Sequence, residues 1–175
     1  MKAVSRKSIQ EFLERLGSRY PQDETLSLLG GSAMILLGST RETMDIDYVG
    51  DDLHKNDFQI LVETIASELG LDAEAVPIEH FVPLPEGYDQ RRIHIGHYGK
   101  VNVFVIDPYS IALSKVDRGS DRDLIDLVFL IQQNLIILEE LERITKNGLT
   151  MAGKFDFHPE ILEHLQELKK RLQKT

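Results

Sequence analysis

Asp45 and Asp47 stand one residue apart in Asp45-Ile46-Asp47, and at that spacing two side chains on a strand share a face. Two carboxylates on one face are a site for Mg²⁺ or Mn²⁺, hard cations that take oxygen ligands and keep places for water and phosphate. The pair alone says little, because Asp121 and Asp123 repeat it further on. Its context says more. The chain's only Gly-Gly, in Leu29-Gly30-Gly31-Ser32, precedes it. Glycines let a backbone approach a phosphate closely, and Ser32 adds a hydroxyl at the start of a helix, where anions are favoured. Arg41 and Thr43 lie just before the acidic strand, and Arg41 reads either as a ligand of the same phosphates or as a solvated loop arginine. Two like charges side by side on a strand repel each other, so a bound cation is their natural partner.

A second group of charges runs from Lys115 through Arg118, Arg122 and Asp123 to Asp126. Its plain reading is a solvated helix face with i, i+4 pairs such as Arg122 with Asp126. The two groups together resemble a known family. Gly-Gly, a helix, then hydrophobic-Asp-x-Asp is similar to the first motif of nucleotidyltransferases of the DNA polymerase β superfamily. Lys115-x-x-Arg118-x-x-x-Arg122-Asp123-x-x-Asp126 resembles a motif of their AbiEii-like branch, which contains toxin components of abortive-infection and toxin–antitoxin pairs. The stretch from Gly30 to Asp126 carries both motifs in order.

The resemblance implies an α/β (α+β) fold: a polymerase-β-like small mixed sheet flanked by helices, with a helical C-terminal region. It implies transfer of a nucleoside monophosphate from an NTP to an acceptor hydroxyl on tRNA, protein or a small molecule, with an antitoxin as partner. Asp45 and Asp47 would hold Mg²⁺ or Mn²⁺. Gly30, Gly31, Ser32, Arg41, Thr43, Lys115 and Arg118 would bind the nucleotide, and Lys115 and Asp123 would join Asp45 and Asp47 in catalysis. The superfamily's third carboxylate is not evident. Asn102 stands where an acid is expected, and Asp107 and Glu79 are the alternatives. Two other readings stand beside this one: a small-molecule (antibiotic-type) nucleotidyltransferase, and a catalytically degenerate nucleotide-binding protein of the same fold.

The elements that must position these residues follow from periodicity and breakers. Ile9, Phe12, Leu13 and Leu16 predict a helix over 8–16, ended by Gly17. Leu26, Leu28 and Leu29 predict a strand into Gly30, with Ser32 capping a helix over 33–37. A strand over 45–49 and a helix over 55–69 follow, and residues 76–89, with three prolines, suit a rim loop. Gly99-Lys100 turns a hairpin of 91–98 and 101–106, on which His94 and His97, three apart, are expected to face opposite sides. Helices are predicted over 108–116, 121–133, 136–146 and 159–173. His158-Pro159 opens the last of these, with Glu160 and Glu163 in its first turn. The chain reads as a single domain, an α/β head over 1–107 and a helical region over 108–175.

Composition sets limits. At 175 residues and 42 % hydrophobic the chain builds one ordinary core. It lacks cysteine and so any thiolate metal site. No apolar run spans a bilayer and no h-region follows the N-terminus, so a cytoplasmic location is expected and no membrane contact. A net charge of −9 argues against a broad nucleic-acid-binding surface.

Overall fold

The computed structural model describes residues 2–174, which form a mixed α/β structure of two compact units. The first comprises residues up to Pro77 together with Arg92–Ile106. In chain order it holds α1 (Arg6–Arg19), β1 (Glu24–Leu28), α2 (Gly30–Leu36), β2 (Asp45–Val49), α3 (Asp57–Glu68), β3 (Asp72–Val76), β4 (Ile93–Tyr98) and β5 (Val101–Val105).

The five strands lie in the order β3-β2-β1-β5-β4. β1 runs parallel to β5 and β2 parallel to β3, whereas β1/β2 and β4/β5 are antiparallel. Alternation decides the faces. Leu26 and Leu28 of β1, Ile46 and Tyr48 of β2, and Val101 and Val103 of β5 are buried with Ile9, Phe12, Leu13 and Leu16 of α1 and Phe58, Val62 and Ile65 of α3. The intervening residues therefore belong to the opposite face: Ser27, Asp45, Asp47, Glu74, Asn102 and Phe104, none of them fully buried. Capping boxes Ser5/Ser8 and Asn56/Gln59 start α1 and α3.

Several local expectations are corrected. Gly17 does not end α1, which continues to Arg19. A side chain at position 17 would overlap the Tyr98 carbonyl, so this glycine is required by the close approach of helix and hairpin. Ser32 does not cap α2, because the helix begins two residues earlier with Leu29 at the cap position. β3 is a strand within a stretch that periodicity left unassigned. His94 and His97 share a face after all: a register shift between His94 and Gly96 inserts one extra residue, and their ring centroids lie 4.9 Å apart.

The second unit comprises Ile78–Arg91 and the residues from Asp107 on. It holds a short 3₁₀ turn (Ile78–His80) and four helices, α4 (Pro108–Arg118), α5 (Asp121–Gln132), α6 (Leu138–Leu149) and α7 (Ile161–Gln173). From Ile78 on, the proline-rich segment is thus part of the helical unit. Arg91 fastens it there by a bidentate pair with Asp107, Nε to Oδ1 at 2.8 Å and Nη2 to Oδ2 at 2.9 Å. Asp107 also caps α4 with Pro108 at the first turn, and Gly119 ends that helix in the left-handed conformation. Leu113, Val116, Leu124, Leu127, Leu130, Leu141, Leu165 and Leu168 are buried.

Candidate functional site

The residues of the first motif converge within the α/β unit. The β2 pleat directs Asp45 and Asp47 to one face, both half-buried. Parallel pairing sets Glu74 of β3 directly across from Asp47. One carboxylate oxygen from each of Asp45, Asp47 and Glu74 lies within 4.8 Å of the others. Three hard oxygen donors at that separation fit a divalent cation of the Mg²⁺ or Mn²⁺ type.

The surrounding residues hold this group in place. Thr43, itself buried, donates from Oγ1 to Asp45 Oδ1 at 3.1 Å, and its backbone bridges to Val4. Gly30 has φ +60°, and any side chain on it would overlap the Asp47 carboxylate. The residue is glycine for both reasons. At Gly31 a side chain would overlap Thr43 and crowd the Arg41 guanidinium, so this glycine makes room for protein groups beside the acidic strand. Ser32 is fully buried. Its hydroxyl donates to the Leu29 carbonyl at 3.0 Å and the Asp47 carbonyl at 3.4 Å, which ties the turn to β2.

Sequence reasoning missed Glu74. The signal was there in part: acids at 72 and 74 alternate with alanines between Gly70 and Pro77. Of the alternatives for the third carboxylate, Asn102 and Asp107 are engaged elsewhere. Asn102 Oδ1 lies 2.7 Å from His94 Nε2. Both Asp107 oxygens are held by Arg91, the Tyr109 amide and the Ser110 hydroxyl, and the side chain is fully buried. Glu79 lies in the 3₁₀ turn of the helical unit.

The second motif assembles within the helical unit. Lys115, 2 % exposed, directs Nζ to Asp126 Oδ2 at 2.6 Å and to Asp123 Oδ1 at 3.3 Å. Arg118 donates from Nη2 to Asp123 Oδ1 at 2.7 Å and from Nε to Oδ2 at 3.2 Å, while remaining 56 % exposed. Ser120 caps α5 and donates its hydroxyl to Asp123 at 2.7 Å. Burial alone would raise the Asp123 pKa. The hydrogen bonds from Arg118 and Ser120, with the charges of Arg118 and Lys115, outweigh it and hold the carboxyl below the usual aspartate range. The Lys115 ammonium is thus a buried counter-ion to two carboxylates, whereas Arg118 and Arg122 of the motif are exposed.

A mixed sheet flanked by helices, in which a Gly-Gly turn opens a short helix and a carboxylate-bearing strand follows, is a nucleotidyltransferase-like α+β fold. A family model described as "Nucleotidyltransferase of unknown function (DUF6036)" matches residues 7–167, and the chain belongs to that family. Comparison with curated proteins and with solved structures returned no match. Among the described residues, no helix is long and apolar enough to cross a membrane.

Proposed function

We propose that the chain is a metal-dependent nucleotidyltransferase that moves a nucleoside monophosphate from an NTP to an acceptor hydroxyl and releases pyrophosphate. The observation that carries this reading is the third carboxylate: Glu74 joins Asp45 and Asp47 on the sheet face beside the Gly-Gly turn. Asp45, Asp47 and Glu74 would hold Mg²⁺ or Mn²⁺. Bound there, the ion supplies positive charge against the triphosphate and acidifies an acceptor hydroxyl.

The chain's own groups do the rest. Thr43 orients Asp45, and Gly30 sets the distance between the turn and Asp47. Gly30, Gly31 and Ser32 present backbone to the phosphates, with Arg41 beside them. Arg118 offers an exposed guanidinium, and Lys115 with Asp123 and Asp126 holds it in position. The second motif supports the AbiEii-like branch, and with it a toxin of a toxin–antitoxin or phage-defence pair, acting in the cytoplasm with an antitoxin partner and tRNA as one acceptor. The net charge of −9 favours a second reading, a cationic small-molecule acceptor.

Incubating the protein with each labelled NTP, Mg²⁺ or Mn²⁺, and separate RNA, protein and small-molecule fractions tests this. Label should enter one fraction with wild type and none with Asp47→Asn. Folded wild-type protein that labels nothing in any fraction would overturn the proposal.

A further inference from the structure

A second set of ligand-type side chains lies in the helical unit, apart from any motif used above. His158 and Glu160 precede α7 and His164 lies in its first turns. One ligand atom from each falls within 4.8 Å of the others. The His164 amide donates to the Glu160 carbonyl at 3.0 Å, which sets the cap residue one turn before His164. The His158 and His164 rings are 4.9 Å apart.

The support behind His164 distinguishes this set from a chance surface cluster. Its Nδ1 lies 2.8 Å from the Val116 carbonyl, in the last turn of α4. A carbonyl only accepts, so Nδ1 carries the proton and the Nε2 lone pair is left for a ligand. That arrangement orients a metal-binding histidine. The ring is also seated on Gly119, where any side chain would overlap it. The C-terminal end of α4, with its negative dipole, favours a cation beside it. Asp117, which accepts from the His158 amide at 2.7 Å, adds a carboxylate nearby. His158 Nδ1 accepts from the Glu160 amide at 3.1 Å. Both residues are exposed, so water replaces that bond when the ring turns to a metal.

We infer that His158, Glu160 and His164 form a binding site for a borderline transition-metal dication of the Zn²⁺ class, distinct in chemistry from the all-carboxylate cluster. Two imidazoles and one carboxylate suit Zn²⁺, whereas Mg²⁺ takes oxygen ligands. The ligand atoms of a tetrahedral zinc stand roughly 3.3 Å apart, a separation that the exposed His158 and Glu160 side chains reach by rotation. A metal here fastens the start of α7 to the end of α4. The inference does not depend on nucleotide transfer.

The test is Zn²⁺ titration of the full chain, first stripped with chelator, by competition with a chromophoric chelator in millimolar Mg²⁺ so that the carboxylate cluster is occupied. Thermal unfolding is followed in parallel. Wild type should take up one equivalent of Zn²⁺ and unfold at higher temperature with it. His158→Ala and Glu160→Gln, both at exposed positions, should bind Zn²⁺ at least ~10-fold more weakly and lose the thermal shift. No Zn²⁺ uptake by wild type, or equal affinity in the variants, would overturn the site.

Discussion

Lys115 shows how much one side chain can carry. Its ammonium is buried between Asp126 and Asp123, and the second carboxylate also receives Arg118 and Ser120. Removing one member of a buried ion pair leaves an uncompensated charge, which costs about 3–5 kcal/mol. Lys115→Ala is therefore expected to lower unfolding free energy by that amount, measured by urea denaturation followed by circular dichroism. Arg118→Ala removes a half-exposed partner, so its stability cost should be nearer 1 kcal/mol. A Lys115→Ala protein as stable as wild type would refute the buried-counter-ion role.

At the scale of elements, the β1–α2 turn and the β2/β3 pairing make the site. Gly30→Ala forces a side chain into φ +60° and into the Asp47 carboxylate. The left-handed conformation alone costs about 1–2 kcal/mol. The expected outcome is a modest loss of stability with a far larger loss of divalent-metal affinity, read by calorimetry and thermal melts on the same sample. Gly31→Val should also destabilise, because the side chain meets Thr43 before it meets any ligand. β2 was legible in the sequence because Ile46 and Tyr48 alternate with acids, and the β4–β5 hairpin because Gly99 marks its turn. β3 was not. Asp, Ala and Glu are poor strand formers, and what holds Asp72–Val76 extended is parallel pairing with β2, a contact no local window contains. Glu74 was missed with it. The same reason hid the shared face of His94 and His97, since an inserted residue in a strand leaves no periodic trace.

For the whole molecule, two titrations frame the stability profile. Burial first, then the Glu63 carboxylate, raise the Tyr48 pKa from 10.0 to about 12, with a hydrogen bond from Gln59 opposing. A group raised in the folded state contributes stability present below its unfolded value and lost as pH climbs through the folded one. Unfolding free energy should therefore fall between pH 10 and about 12, and Tyr48→Phe should flatten that limb. Asp123 works in the opposite sense. Its lowered pKa contributes stability above the ordinary aspartate range, lost as pH falls below 3.8, and Asp123→Asn should remove that acid limb. At pH 7 the chain carries a formal net charge of −9, and a divalent cation held where Asp45, Asp47 and Glu74 meet would offset part of it. The most direct test of that claim is Mn²⁺ binding to wild type and Glu74→Gln, followed by electron paramagnetic resonance with nucleoside triphosphate present. Glu74 is exposed, so the variant should keep its stability within about 0.5 kcal/mol. The account predicts Mn²⁺ affinity at least ~10-fold weaker in Glu74→Gln. Equal Mn²⁺ affinity in the two proteins would contradict it.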